Sequence, residues 1–291
     1  MKSASLKLLS VSSLLPALCE AHSHVSAIII DGVAYPGFNS FRPNENPDVL
    51  AAWRTEVVED GWVGANDYER PDIICHINAA NANGYLPVKA GGQMSFRWNG
   101  WPESHHGPVL TYLARCGDEP SSCATVDKTE LDFFEIDAMG LVDPYMTLHR
   151  YPTAEGVWGS DLLIYNNSTF TVELPLNVAA GFYVLRHEII ALHFARMPAL
   201  GPQHYPQCIN IKIENGGEDS PKGVPATELY GGEGDVEGLT YDIYASPLSS
   251  YVMPGPSMYT AAAPSAIQTP ILAVSESTAM PCVSKHELAE E

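Results

Sequence analysis

Short runs in which apolar and polar residues alternate, bounded by Gly, Pro, Asn and Asp, dominate this chain, and a sustained 3.6-residue apolar repeat is hard to find. Val25–Ile30 runs into the turn pair Asp31-Gly32. Gln93–Trp98 sets Met94, Phe96 and Trp98 against polar partners, and residues 169–174 alternate in the same way, so each predicts a strand with one buried face. Residues 182–193 form a longer extended run ending in Ala191-Leu192-His193, and Ile209, Ile211 and Ile213 mark one more inward face. With 23 Gly and 23 Pro among these segments, the predicted class is all-β: an antiparallel, immunoglobulin-like or fibronectin-like β-sandwich with long loops and little helix.

The two ends break the pattern. Residues 1–21 carry Lys2 and Lys7, an apolar run from Leu8 to Leu18, and then Cys19-Glu20-Ala21, with small side chains where a signal peptidase reads. This segment reads as a secretion signal, which makes the protein extracellular and His22 the first residue of the mature chain. Its apolar run is shorter than the roughly 20 residues that cross a bilayer. From about Ala261 the composition turns to Ala, Ser, Thr and Pro, so 22–260 is predicted as the folded domain and 261–291 as a disordered tail. The tail has one cysteine and no aromatic residue, too little for an appended carbohydrate-binding module.

Charge narrows the partners. The formal charge of −20 becomes −21 once Lys2, Lys7 and Glu20 are removed with the signal, and no basic stripe is present, which excludes nucleic acid and anionic membrane as partners. A neutral sugar polymer is compatible with such a surface. In an oxidising compartment Cys75, Cys116, Cys123 and Cys208 are expected to pair. Four cysteines allow three connectivities; proximity favours Cys116 with Cys123, leaving Cys75 for Cys208 and Cys282 alone in the tail. Asn166-Asn167-Ser168-Thr169 holds two overlapping N-glycosylation acceptors, Asn166 and Asn167, which would collide if both were used.

A histidine at a free N-terminus offers two nitrogens, its amine and its imidazole, to one metal. A second histidine opposite completes a planar set of three, an arrangement that suits Cu(II). The candidate partner lies in Ser104-His105-His106-Gly107-Pro108, a rigid loop after a strand. In Gln203-His204-Tyr205-Pro206-Gln207-Cys208 a tyrosine stands three residues before a cysteine, from where a phenol can approach such a metal axially.

These residues resemble the fungal lytic polysaccharide monooxygenases of auxiliary activity family nine. The likeness extends through Ile30-Asp31-Gly32, Pro71-Asp72-Ile73-Ile74-Cys75-His76, the His105 loop, Thr125-Val126-Asp127-Lys128-Thr129, the run from Leu185 to His193, Tyr205-Pro206-Gln207-Cys208-Ile209-Asn210 and Pro254-Gly255-Pro256. It implies a copper ion held by His22 and His105 with Tyr205 axial, and His193 and Gln203 beside it, able to hydrogen-bond an oxygen species. It further implies a monomer that oxidises β-1,4-glucans such as cellulose, or a hemicellulose, at C1 or C4. Hydrogen peroxide or dioxygen is the expected co-substrate, with an external electron donor, either a small reductant or a redox protein such as cellobiose dehydrogenase. Tyr244 aligns with a surface tyrosine of the family and is expected to stack on sugar rings. The segment from Tyr35 to Pro47 lacks the extra tyrosines of several relatives, a departure that bears on flat crystalline cellulose. His106 is expected to neighbour the site, His24 not to be a ligand, and Arg186, His187 and Glu188 to be structural.

The alternatives are a secreted copper- or carbohydrate-binding sandwich without turnover, and a zinc hydrolase built on His105 and His106. No His-Glu-x-x-His run supports the latter, and no carboxylate pair stands out for a glycosidase.

Overall fold

The computed structural model describes residues 23–57, 60–148, 154–231, 233–271 and 273–283. The expected secretion signal, His22 and the last eight residues lie outside that set. Fourteen strands are present among the described residues: β1 (Val25–Ile30), β2 (Val33–Pro36), β3 (Val63–Gly64), β4 (Leu86–Lys89), β5 (Gln93–Trp98), β6 (Val109–Gly117) and β7 (Asp132–Met139), then β8 (Leu141–Asp143), β9 (Val157–Trp158), β10 (Thr169–Glu173), β11 (Gly181–Ala191), β12 (Gln203–Glu214), β13 (Val224–Pro225) and β14 (Ser275–Glu276). One sheet runs β10-β5-β1-β2-β14, a second runs β13-β7-β6-β11-β12-β3 with β4 parallel to β12, and β8 and β9 form a two-stranded third. The turn between β1 and β2 places Asp31 and Gly32 at φ of 50° and 77°, the left-handed pair that a tight hairpin requires.

The sequence periodicity is realised in the core between the sheets. Met94, Phe96 and Trp98 from β5 meet Leu185, Ile189, Ile209, Ile211 and Ile213 from β11 and β12. The opposite face of β11 and β12 is also covered, because Val184, Ile190 and Cys208 pack against Ile73, Ile74, Leu229 and Tyr230 from short helices and loops. Two disulfides brace this arrangement, Cys75–Cys208 and Cys116–Cys123. The long one ties the 72–75 helix to β12 across 133 residues of sequence.

Residues 261–271 and 273–283 are laid along the sandwich. Gln268 accepts from Thr171 N at 2.9 Å and donates back to Thr171 O at 2.9 Å, β14 pairs in parallel with β2, and Val283 N donates to Asn83 O at 2.9 Å. Few apolar side chains are involved. Backbone and amide hydrogen bonds to exposed strand edges hold these residues in place.

Two carboxylates lie buried in β7 near this segment. Ser265 Oγ donates to Asp137 at 2.5 Å and Tyr259 N to Glu135 O at 2.9 Å. Burial drives both carboxyls up, Glu135 to about 8 and Asp137 to about 6. A carboxyl held protonated in the fold loses stability as pH rises, for Glu135 between the usual 4.5 and about 8. Burial also lowers His76 to about 4 and His187 to about 3, which removes stability as pH falls below 6.5. These effects oppose one another in mild acid, and above pH 6.5 the Glu135 effect stands alone. From pH 6.5 to 8 the parent is expected to lose about 2 kcal/mol, or roughly 4–8 °C of melting temperature. The Glu135→Gln variant should lose little, and melting curves at the two pH values check this.

Candidate metal centre

The His105 loop is fixed from several sides. Trp101 Nε1 donates to His105 O at 2.9 Å, and Leu192 N donates to His106 O at 2.9 Å. Gly107 is required by close approach, since a Cβ there would stand 1.9 Å from Ile190 O. His106 turns away into the core, where its Nδ1 meets Asp161 Oδ1 at 2.8 Å with both side chains buried. Asp161 Oδ2 also accepts from Trp158 N at 2.8 Å, at the start of the helix Gly159–Tyr165. His106 is therefore a support beside the site.

The second half comes from β11 and β12. Their register sets Ala191 opposite Gln203 and Ile189 opposite Tyr205, so Gln203 and Tyr205 share one face, and His193 follows two residues after Ala191. The His193 ring lies 3.8 Å, centroid to centroid, from His105. The edge of Trp101 meets the Tyr205 ring at 5.0 Å, and the Tyr205 hydroxyl donates to Gln203 Oε1 at 2.9 Å. Tyr205 is fully buried; burial, with the charge of Asp60 adding to it, pushes its phenol far above the ordinary range, so it stays protonated. His105, His193, Gln203 and Tyr205 are thus gathered at one end of the sandwich.

His22 lies outside the described residues, and the chain is first seen at Ser23 and His24, both buried. His24 Nδ1 meets both oxygens of Asp60, at 2.8 and 3.0 Å. Among the described residues no three His, Cys, Asp or Glu side chains meet around one point, so the grouping of His105 with His106 and a third ligand for zinc is not formed there. The donor chemistry does fit copper. His105 Nδ1 lies 3.0 Å from Ser104 Oγ, and a metal held by this imidazole would use its other ring nitrogen. The oxygens nearby belong to a neutral phenol and a neutral amide, and the amine and ring of a leading His22 would complete a three-nitrogen set.

Exposed aromatics flank this end. Tyr244 is 54% exposed, and residues 241–244 border a surface cavity of about 250 Å³ together with His193 and Met197. Phe41 is 49% exposed, with its ring 6.1 Å from that of His24. Nothing in the local sequence sets the exposed Phe41 apart from Phe38, which packs against the core. A larger cavity, about 720 Å³ over Tyr68 with Asn66, Glu69 and Glu228, includes none of the expected site residues.

The sequence profile of Auxiliary Activity family 9, formerly GH61, matches residues 22–251. The chain is 48% identical over 258 residues to AA9 family lytic polysaccharide monooxygenase E of Emericella nidulans, covering 88% of this chain and 60% of that relative. It is 44% identical over 269 residues to AA9 family lytic polysaccharide monooxygenase A of Talaromyces verruculosus, covering 92% of this chain and 78% of the relative. Among solved structures it is similar to the extended catalytic domain of H. jecorina LPMO9A, also called EG4, with a TM-score of 0.78 and 41% identity over 90% of this chain and 100% of that one. This chain belongs to Auxiliary Activity family 9, a family of polysaccharide monooxygenases, and has its β-sandwich fold.

Proposed function

We propose that this chain is a secreted, copper-dependent lytic polysaccharide monooxygenase that cleaves β-1,4-glucan chains such as cellulose. The observation that carries this reading is the gathering of His105, His193, Gln203 and Tyr205 at the end of the sandwich, on a chain whose sequence matches the family from residue 22. His22, through its amine and ring, His105 and the Tyr205 phenol would hold the copper. Bound copper supplies one-electron chemistry by which hydrogen peroxide or dioxygen, with an external electron donor, attacks a C–H bond at a glycosidic linkage.

The chain's own groups set the conditions for that chemistry. Tyr205 stays protonated and directs its O–H to Gln203 Oε1, which turns the amide so that Nε2 is its donor side. His193, with its ring against that of His105, brings an imidazole that can donate or accept a proton. Phe41 and Tyr244 offer aromatic faces for sugar rings on either side. All of these residues come from one chain, so a monomer suffices.

Asn167 is the glycosylation site in this reading. Asn166 is fully buried and its Nδ2 donates to Thr169 O at 2.9 Å, which removes it as an acceptor, whereas Asn167 is exposed on the turn. Intact mass and N-terminal sequencing of secreted protein should give His22 as the first residue and one glycan, lost in Asn167→Gln. The copper-loaded protein, supplied with ascorbate and peroxide, should release oxidised oligosaccharides from cellulose or a hemicellulose. A chain starting elsewhere, or one that binds copper and releases none, overturns the assignment.

A further inference from the structure

The antiparallel ladder between β1 and β5 begins with Val25 opposite Trp98. Past that pair, Asn99 extends the pairing with its side chain. Its backbone N–H donates to His24 O at 3.1 Å, while its Oδ1 accepts from His24 N at 3.0 Å and from Ser23 Oγ at 2.5 Å. Both backbone polar groups of His24 and the hydroxyl of Ser23 are thereby held by one residue. Asn99 Nδ2 donates to Asp60 Oδ2 at 3.2 Å, which fixes the direction of the amide, and Asp60 itself grips His24 Nδ1. Asp60 is buried and sits at a φ of 49°, in the left-handed region that Asp adopts more readily than most residues.

Asn99 also opens the loop that carries His105. Trp98 packs edge-on against Trp101 at 5.5 Å, and Trp101 Nε1 holds His105 O. One stretch, 98–105, therefore holds both Ser23 and His24 and the backbone of His105. Because the peptide joining residues 22 and 23 is planar and stiff, fixing Ser23 and His24 limits where the preceding residue can place its amine and ring.

We propose that Asn99, oriented by Asp60, is a positioning residue that sets the chain start against His105 and so defines the geometry in which copper is held. This rests on the copper reading given above. The arrangement predicts a pre-organised pair of ligand arms, in which loss of the clamp weakens and distorts metal binding more than it unfolds the protein.

The test uses secreted full-length protein, stripped of metal and titrated with Cu(II) alone. Asn99→Ala should bind copper at least about ten-fold more weakly, the usual scale for loss of a residue that orients a ligand, and should change the hyperfine splitting of the Cu(II) paramagnetic resonance spectrum. Ile28→Val, in β1 but in the core, provides the comparison: its melting temperature should fall while its copper affinity and spectrum stay as in the parent. Parent affinity and parent spectrum in Asn99→Ala, whatever its melting temperature, overturn the positioning role alone. Should Asn99→Ala fail to fold, Asp60→Asn is read by the same two measurements, with the same outcomes deciding. A parent that binds no copper through nitrogen overturns the copper reading and this inference with it.

Discussion

Glu188→Gln should destabilise the protein by about 3–5 kcal/mol, because it leaves the Arg186 guanidinium charged and without its counter-ion in the interior. Arg186 and Glu188 are both fully buried on the outward face of β11. The guanidinium donates to Glu188 Oε2 at 2.5 Å, to Ile74 O at 2.8 Å and to Ile73 O at 2.9 Å, while Glu188 Oε1 meets His204 Nδ1 at 2.8 Å and Oε2 accepts from the Tyr230 hydroxyl. Burial raises the Glu188 carboxyl, but the charges of Arg186 and His204 and their hydrogen bonds hold it down, at about 2. The Arg186–Glu188 pair is therefore ionised at neutral pH. Removing one charge costs far more than the pair itself contributes, so Arg186→Met with Glu188→Leu should recover most of the loss. Denaturant unfolding of parent, single and double variants checks both statements. The consequence reaches the site, since β11 leads to His193 and His204 stands between Gln203 and Tyr205 on β12.

His105→Ala should abolish useful copper binding. Loss of residues that merely orient ligands lowers metal affinity by about 10–100-fold, so loss of a ligand nitrogen should exceed that range. The loop itself should persist, because His106 O, Gly107 N and the Trp101 contact to the backbone of residue 105 do not involve the His105 side chain. Calorimetric copper titration and far-ultraviolet circular dichroism of the same preparation separate the two effects: lost binding with a parent-like spectrum is expected. Retained tight binding would mean that the metal sits elsewhere, and would remove His105 from the proposed mechanism.

The strands that build the core were legible because their period-two patterns reflect a simple rule, burial of alternate residues. Met94, Phe96 and Trp98, and Ile209, Ile211 and Ile213, lie where that rule puts them. Thr169 and Thr171, which alternate with Phe170 and Val172, are buried as well, and Gln268 from the segment after residue 260 pairs with the backbone of Thr171. Asn166 and Asn167 looked equivalent in sequence. One residue's difference in orientation buries the first and exposes the second.

For the candidate site, the sequence by itself supplied the candidates: the paired histidines in a Gly-Pro loop and Tyr205 before a cysteine from local pattern, and His193 and Gln203 through the family resemblance. Only the tertiary structure decided that His105 faces His193 while His106 points to Asp161, that Phe41 lies near His24, and that Asp60 and Asn99 hold the first described residues. These contacts join positions tens of residues apart through hydrogen bonds and ring packing, which leave no periodic trace in the chain. They exist because the two sheets bring β1, β5, β11 and β12 to a common end, where burial makes each polar group find a partner.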